Sequence, residues 1–319
     1  MKTSNRRNLP LLVTAAIFVA LFVAAGVMYD GFFSLRVFVN LFTDTAVIGI
    51  AAVGMTLVIF SGGIDLSVGA VVGFTSIFTA TLVEQHDVHP LVAGAAAVAC
   101  GAALGAFMGT LIQVFRQPPF LVTLAGMFLA RGGAWWTSQE STEIKHPFFA
   151  ALSNYAWEIG GGARLPTTAL VLVAVLAAGY VVAHHTRFGR NLLAIGGGEH
   201  SALLMGLPVG ATKIWVYTLN GAVASLAGLV AVVYSGSGNP NQGLGLELDA
   251  IAVVVIGGTL LAGGRGHMLG TFCGVLIFGT IQSALLFDGR LSPAWGRIVV
   301  GLLLLGFILL QRTLLRKLR

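Results

Sequence analysis

Apolar stretches long enough to cross a lipid bilayer recur along nearly the whole chain. A membrane-spanning helix needs about 20 mainly apolar residues, because the hydrocarbon core is roughly 30 Å thick. We place ten such spans at 9–28, 45–61, 64–84, 91–115, 119–137, 166–184, 213–235, 247–263, 267–287 and 295–311. The sequence therefore predicts an all-α, polytopic transmembrane helical bundle of about ten spans, formed by residues 1–319 as a single domain.

Composition supports lipid as the main solvent of this chain. Only 9% of its 319 residues are charged, and its mean hydropathy is +0.90. Soluble domains carry about 25% charged residues, so a soluble fold of this composition could not cover its surface. The net charge of +6 could suggest nucleic acid, but the basic residues cluster at the ends of apolar runs. That pattern indicates membrane topology, so we expect a lipid bilayer and no nucleic acid as a partner.

Lysine and arginine orient the predicted spans. With a cytoplasmic N-terminus and alternating spans, twelve basic residues fall inside, five outside and Arg131 within a span. Cytoplasmic loops are enriched in basic residues, so both termini are predicted to be cytoplasmic. The run 9–28 follows three basic residues and could be a signal peptide, with a cleavage-like site at 23–25. Its 20 apolar residues exceed the 7–15 of a signal-peptide core, so we expect a retained helix.

The sequence contains no motif for catalysis or nucleotide binding. Its seven histidines lie in loops or at span ends, and none forms His-Glu-x-x-His. Cys100 and Cys273 each lie in an apolar run without metal-ligand spacing, which indicates small packing residues. The P-loop pattern is also absent, so an ATPase driving this chain must be another subunit. We therefore expect no catalytic residues, no metal and no cofactor.

Glycines are regularly spaced in two spans. They recur every fourth residue at Gly101, Gly105 and Gly109, and again at Gly266, Gly270 and Gly274. This spacing stacks glycines into a groove where another helix can dock closely, and internal packing is the simplest use of it. A weak internal repeat also relates residues 62, 63 and 69 to residues 263, 264 and 270, as duplicated halves of transporters do.

Asp65 is the most informative polar residue, because it interrupts two apolar runs within Ser61–Gly69. A carboxylate at membrane depth costs about 2.5–3.5 kcal/mol on insertion scales, so it normally faces protein or a water-filled path. Asp65 could line a translocation path, or it could cap the helix of the third span by accepting backbone N–H groups. The spacing favours the cap. Further candidates for a polar path are Gln113, Thr123, Trp135, Trp136, Asn220 and Gln282.

The two tryptophans also have a simpler interpretation. Trp135 and Trp136 lie near the outer end of the fifth span, where tryptophan is expected at a membrane interface. The path set that we retain comprises Asp65, Gln113, Trp135, Asn220 and Gln282.

The cytoplasmic segment 186–212 is long enough to meet a soluble partner. Its glycine run 196–198 is predicted to be flexible, and Glu199–Met205 to form a short helix ended by Gly206 and Pro208. Such a helix could be a rigid lever for an ATPase, or part of a basic loop that binds lipid headgroups. The candidate coupling residues are Glu199, His200, Ser201, Ala202, Leu203, Leu204, Met205 and Gly206.

Several separated motifs resemble the permease subunits of bacterial monosaccharide ABC importers of the ribose, galactose, xylose and arabinose type. They are Ser61-Gly-Gly-Ile-Asp-Leu-Ser-Val-Gly69, Val255-Ile-Gly-Gly-Thr-Leu-Leu-Ala-Gly-Gly264, Arg187-Phe-Gly-Arg190 and the segment 194–208. The resemblance spans essentially the whole chain. The stretches 125–128, 140–141, 245–252 and 287–289 look most like one of the two different permeases of the galactofuranose importer.

The resemblance implies an inner-membrane complex of two permeases, two ATP-binding domains and a periplasmic sugar-binding protein. It implies that segment 199–206 is the coupling helix, and the outer loops 138–165 and 236–247 are long enough to dock a partner. Arg265, where many relatives carry smaller residues, could contact the ATPase or lipid phosphates. The alternatives are an ion-coupled secondary transporter, for which Asp65 and Asp249 are the candidate pathway carboxylates, and a membrane scaffold or channel.

Overall fold

The computed structural model describes residues 9–160, 162–290 and 294–316. Within these ranges the chain forms fourteen helices and four short strands. The first seven helices are α1 (Leu9–Met28), α2 (Leu35–Asp44), α3 (Ala46–Phe60), α4 (Val68–Glu84), α5 (Pro90–Val114), α6 (Pro119–Thr137) and α7 (Pro147–Asn154). The remaining seven are α8 (Thr167–His185), α9 (Arg187–Gly197), α10 (Glu199–Leu204), α11 (Val209–Ser235), α12 (Leu246–Ile256), α13 (Met268–Asp288) and α14 (Ala294–Arg316).

The strands form two small antiparallel pairs. They are β1 (Thr142–Glu143), β2 (Ala156–Gly160), β3 (Ala163–Pro166) and β4 (Ser237–Gly238). Strand β1 pairs with β4, and β2 forms a hairpin with β3. Both pairs lie in segments that the sequence places outside the membrane.

The predicted helical membrane bundle is confirmed, and each of the ten predicted spans overlaps a helix. By length and apolar composition, five helices of the described chain are long enough to cross a membrane: α1, α5, α8, α11 and α13. Helices α2 and α3, bent by 58° at their junction, would form a sixth span together. The count of ten and the cytoplasmic termini remain predictions, since α12 has only 11 residues and α4 only 17.

Helix α3 lies at the centre of the bundle. All of its residues except Val47 are buried, as expected for a helix that is apolar on every face. It packs against α8, α11, α12 and α13. The buried core therefore surrounds the helix that leads directly into the Asp65 segment.

The spaced glycines mediate packing inside this chain. A Cβ at Gly101 would overlap the Ser225 hydroxyl on α11, and a Cβ at Gly105 would overlap the Tyr217 carbonyl. Likewise, a Cβ at Gly274 on α13 would overlap the Val253 carbonyl on α12. Both glycine series thus let two backbones approach closely, which is the internal role expected of them.

Three of the histidines cap helices. His89, His146 and His267 each precede a helix, and the Nδ1 of each accepts a backbone N–H two residues later, at 3.2 Å. These are the first turns of α5, α7 and α13, whose N–H groups have no partner within the helix. The capping role accounts for histidines at span ends without any metal chemistry.

Candidate functional site

Three glycine-containing segments meet at one end of the bundle. They are the loop after α3, the end of α9 and the loop after α12. The Gly264 N–H donates to the Phe60 carbonyl at 3.1 Å. A Cβ at Gly196 would overlap that carbonyl, and a Cβ at Gly263 would lie 2.7 Å from the Gly62 Cα. The glycines that the weak internal repeat relates, Gly62 and Gly263, are therefore in direct contact.

The predicted flexibility of the glycine run at 196–198 is wrong. Gly196 and Gly197 complete helix α9 (Arg187–Gly197), and Gly198 alone forms the junction to α10. Gly196 is required where the backbones of three segments approach closely, so its small size serves packing. A rigid helix therefore leads into the candidate coupling residues.

Helix α10 (Glu199–Leu204) begins and ends close to where the sequence predicts. Gly206 adopts a left-handed conformation with φ of +77°. Its N–H donates to the Leu203 carbonyl at 2.9 Å, and the Leu207 N–H donates to the Ala202 carbonyl at 3.1 Å. This pair of hydrogen bonds is the Schellman arrangement, which only glycine enters without strain. The turn after α10 therefore has a defined geometry.

The short helix is fixed to the bundle at both ends. Ala202 is fully buried in a small apolar cluster with Ile195 of α9 and Val209 of α11. The Lys213 ammonium contacts the Glu199 carboxylate at 2.6 Å, and the Lys213 side chain is only 15% exposed. A displacement of α10 would therefore be transmitted to α9 and α11.

The opposite face of α10 is open. His200 and Ser201 are exposed, as are the three apolar residues that follow Ala202. Their exposed fractions are 57% for Leu203, 74% for Leu204 and 68% for Met205. Contiguous exposed apolar residues with a polar border are typical of a protein–protein contact.

Asp65 is completely buried and its carboxylate is saturated by neighbouring donors. Its Oδ1 accepts the Ser67 backbone N–H at 2.8 Å and the Ser67 hydroxyl at 2.6 Å. Its Oδ2 accepts the side-chain amide of Asn220 at 2.7 Å. Asp65 therefore stabilises the turn that leads into α4 and ties it to α11, whereas the predicted cap of α4 by this carboxylate is not formed: the N-cap residue is Ser67, and no side chain caps the helix.

The remaining path candidates are scattered over the chain. Gln113 lies beside Gly210, Gln282 lies beside Gly296, and the 45% exposed Trp135 is near the end of α6. Thr123 donates to the carbonyls of its own helix turn. Of the five predicted path residues, Asp65 and Asn220 form the one pair that the described hydrogen bonds join.

Residues 37–308 match the protein family described as "Branched-chain amino acid transport system / permease component". The chain belongs to this permease family. The permease is 49% identical over 309 residues to the inner membrane ABC transporter permease protein YjfF of Escherichia coli (strain K12), covering 97% of this chain and 93% of that protein. It is 38% identical over 317 residues to the fructose import permease protein FruG of Bifidobacterium longum (strain NCC 2705), covering 98% and 93%.

A third relative of the permease is the ribose import permease protein RbsC of Escherichia coli (strain K12). The two are 42% identical over 255 residues, or 80% of this chain and 79% of the relative.

Arg131 lies within a predicted span, and no role for it was predicted from the sequence. In the permease its Nη1 donates to the carbonyls of Pro240 at 2.5 Å and Gln242 at 2.9 Å. These carbonyls belong to the segment that connects α11 to α12. The signal for this contact was a cation inside an apolar run, which requires a polar partner within the protein.

Proposed function

We propose that this permease is a membrane-spanning subunit of an ATP-driven importer that carries a monosaccharide across the bacterial inner membrane by alternating access. The relatives named for ribose and fructose import support sugar as the substrate class. The motifs shared with one permease of the galactofuranose importer favour galactofuranose or a similar sugar.

The observation that carries this proposal is the construction of α10. It is a rigid helix with an exposed apolar face, fixed to the bundle through Ala202 and the Glu199–Lys213 ion pair. A helix with this exposed apolar face suits a soluble ATPase subunit that pushes on it, and the exposed Arg187 and Arg190 of α9 lie in the same cytoplasmic segment. Closure of two ATPase domains would then move α9 and α11 and open the path inward.

The complete importer has further components in this proposal. A second permease, homologous to this one, forms the other half of the pore, and a periplasmic binding protein delivers the sugar to the outer loops. The permease itself makes no covalent bond and needs no cofactor, because translocation is a conformational change. The ion-coupled alternative is disfavoured by Asp65, whose carboxylate accepts three hydrogen bonds from the protein.

Co-purification of the ATPase subunit tests the proposal. The variant Leu204→Asp places a charge on the exposed face of α10, and Leu248→Asp does so on a 62% exposed residue of α12. We expect Leu204→Asp to abolish capture of a P-loop ATPase by the tagged permease, while Leu248→Asp retains it. Equal capture by both variants would show that α10 does not bind the ATPase.

A further inference from the structure

The segment between α11 and α12, residues 236–245, passes deep along helix α4. At its start Gly238 packs against Ile77 and Ala80, in the second half of α4, while Gly243 packs against Gly69, the second residue of that helix. Gly69 and Ala80 are 11 positions apart, which is about 16 Å along a helix axis. Because α4 belongs to a predicted span, this segment, which the sequence predicts as an outer loop, lies at membrane depth and covers about half of a 30 Å hydrocarbon layer; α12 continues it toward the contact of Gly62 with Gly263.

Small residues on α4 make room for this segment. A Cβ at Gly73 would lie 2.7 Å from the Gln242 carbonyl, so any larger residue would displace the segment. One turn further along α4, the Ser76 hydroxyl donates to the Asn239 carbonyl at 3.0 Å and accepts the Asn239 N–H at 3.2 Å. These contacts fix a non-helical backbone against the helix.

Arg131 of α6 contacts the segment where it lies over Gly73 of α4. Its Nη1 donates to the Pro240 and Gln242 carbonyls, and its other guanidinium nitrogens donate to no residue that the structure describes. The Arg131 side chain is only partly buried. Such a cation at membrane depth normally faces protein or a water-filled path.

Polar groups of the segment also remain exposed on the surface of this chain. Asn241 is exposed, and its side-chain amide and that of Gln242 make no hydrogen bond to any described residue. Glu247, in the first turn of α12, places its carboxylate beside Gly69. Irregular polar backbone at membrane depth is tolerated only where it is buried in protein or lines water. The exposed face of this segment therefore cannot face lipid.

We infer that the deeper part of this segment, residues 239–245, lines the translocation path. In this assignment Arg131, Asn241, Gln242 and Glu247 form hydrogen bonds with the hydroxyl groups of a neutral sugar. Amide, guanidinium and carboxylate groups supply both the donors and the acceptors that a polyhydroxylated solute needs. The choice of a sugar as the solute rests on the proposed function. In this assignment the second permease subunit lies across the path from this segment.

Cysteine accessibility tests the assignment without requiring transport. In a parent with Cys100→Ala and Cys273→Ala, single cysteines are introduced at Asn241, at Leu244 on the same segment, and at Phe107 on α5. Leu244 and Phe107 are matched apolar positions, 61% and 52% exposed. The assembled transporter in membrane vesicles is treated with a cationic, water-soluble methanethiosulfonate, and the modified fraction is followed with time.

We expect N241C and L244C to react at least 10-fold faster than F107C, and their modification to reduce sugar uptake at least 10-fold. Rates equal to that of F107C would overturn the assignment, and so would fast modification that leaves uptake unchanged. The labelling rates do not depend on the energy source. An importer that proves not to use ATP would therefore contradict the proposed function and leave this test interpretable.

Discussion

The side-chain amide of Asn220 on α11 donates a 2.7 Å hydrogen bond to the buried carboxylate of Asp65, 155 positions earlier in the chain. The other Asp65 oxygen binds the backbone and hydroxyl of Ser67 at the start of α4. One carboxylate therefore connects the start of α4 to the middle of α11. Both residues were predicted as path residues, and the contact gives them a structural role.

Replacing Asn220 with alanine should destabilise the bundle. The change removes a donor from a buried carboxylate, and hydrogen bonds to charged groups contribute about 1.5–3 kcal/mol. The matched control is Thr218→Ala on the same helix, because the Thr218 hydroxyl donates within α11, to the Ile214 carbonyl. We expect a clearly lower thermal unfolding temperature in detergent for N220A. Equal unfolding temperatures for the two variants would mean that the Asp65–Asn220 bond contributes nothing.

Alanine at Gly196 and alanine at the adjacent Gly197 of α9 should change the free energy of unfolding in opposite directions. A methyl group at Gly196 would overlap the Phe60 carbonyl, whereas one at Gly197 would meet no atom within 4 Å. Overpacking typically costs about 1–3 kcal/mol, whereas Gly→Ala in an open helical position gains up to about 1 kcal/mol. Thermal unfolding of purified G196A and G197A measures the difference. The close contact of the three segments would be refuted by a G196A protein as stable as G197A.

The Glu199–Lys213 ion pair should matter for coupling more than for stability. The Glu199 side chain is 52% exposed, and its pair with the 15% exposed Lys213 contributes about 1 kcal/mol, so Glu199→Lys should lower the unfolding temperature only modestly. The two like charges would push α10 out of place, and we expect ATPase capture to fall several-fold. The double variant E199K/K213E restores opposite charges and should recover capture.

The matched control for this charge reversal is Glu158→Lys. It breaks the Arg164–Glu158 pair of the β2–β3 hairpin, whose side chains are about 70% exposed. We expect it to leave ATPase capture unchanged. A double variant E199K/K213E that captures no more ATPase than E199K would argue against a positioning role for the pair.

The glycine series of α5 offers a test of helix packing. A Cβ at Gly101 would overlap the Ser225 hydroxyl on α11, while a Cβ at Gly132 on α6 would meet nothing within 4 Å. We expect Gly101→Ala to destabilise the bundle by about 1–3 kcal/mol, because α5 and α11 must separate to admit the methyl group. Gly132→Ala should be neutral or slightly stabilising in the same unfolding assay. If Gly132→Ala destabilised the protein more than Gly101→Ala, the spaced glycines would not be what brings α5 and α11 together.

Much of this fold follows from local signals in the sequence. Apolar length locates the helices, and Gly206 with Pro208 marks the end of α10, because glycine is the residue that enters a left-handed turn without strain. The turn that Asp65 forms with Ser67, just before α4, is likewise a local feature. These features depend on residues within one or two helical turns.

Contacts between distant parts of the chain were not visible in the same way. Gly196 was interpreted as flexible, because its sequence neighbours do not reveal the Phe60 and Gly263 backbones that surround it. The partner of Asp65, Asn220, was identified as polar but could not be paired without the structure. Arg131 was likewise visible as a cation inside an apolar run, yet its carbonyl partners lie more than 100 positions away.

ATP-dependent sugar uptake is the most direct test of the central claim. The permease would be reconstituted into liposomes with the proposed partners, namely an ATPase, a second permease and a sugar-binding protein, and uptake of radiolabelled galactofuranose, ribose and fructose would be compared. We predict uptake of at least one sugar that requires ATP hydrolysis and is unaffected by ionophores. Uptake that continues without ATP and disappears when the ion gradient is dissipated would contradict the account.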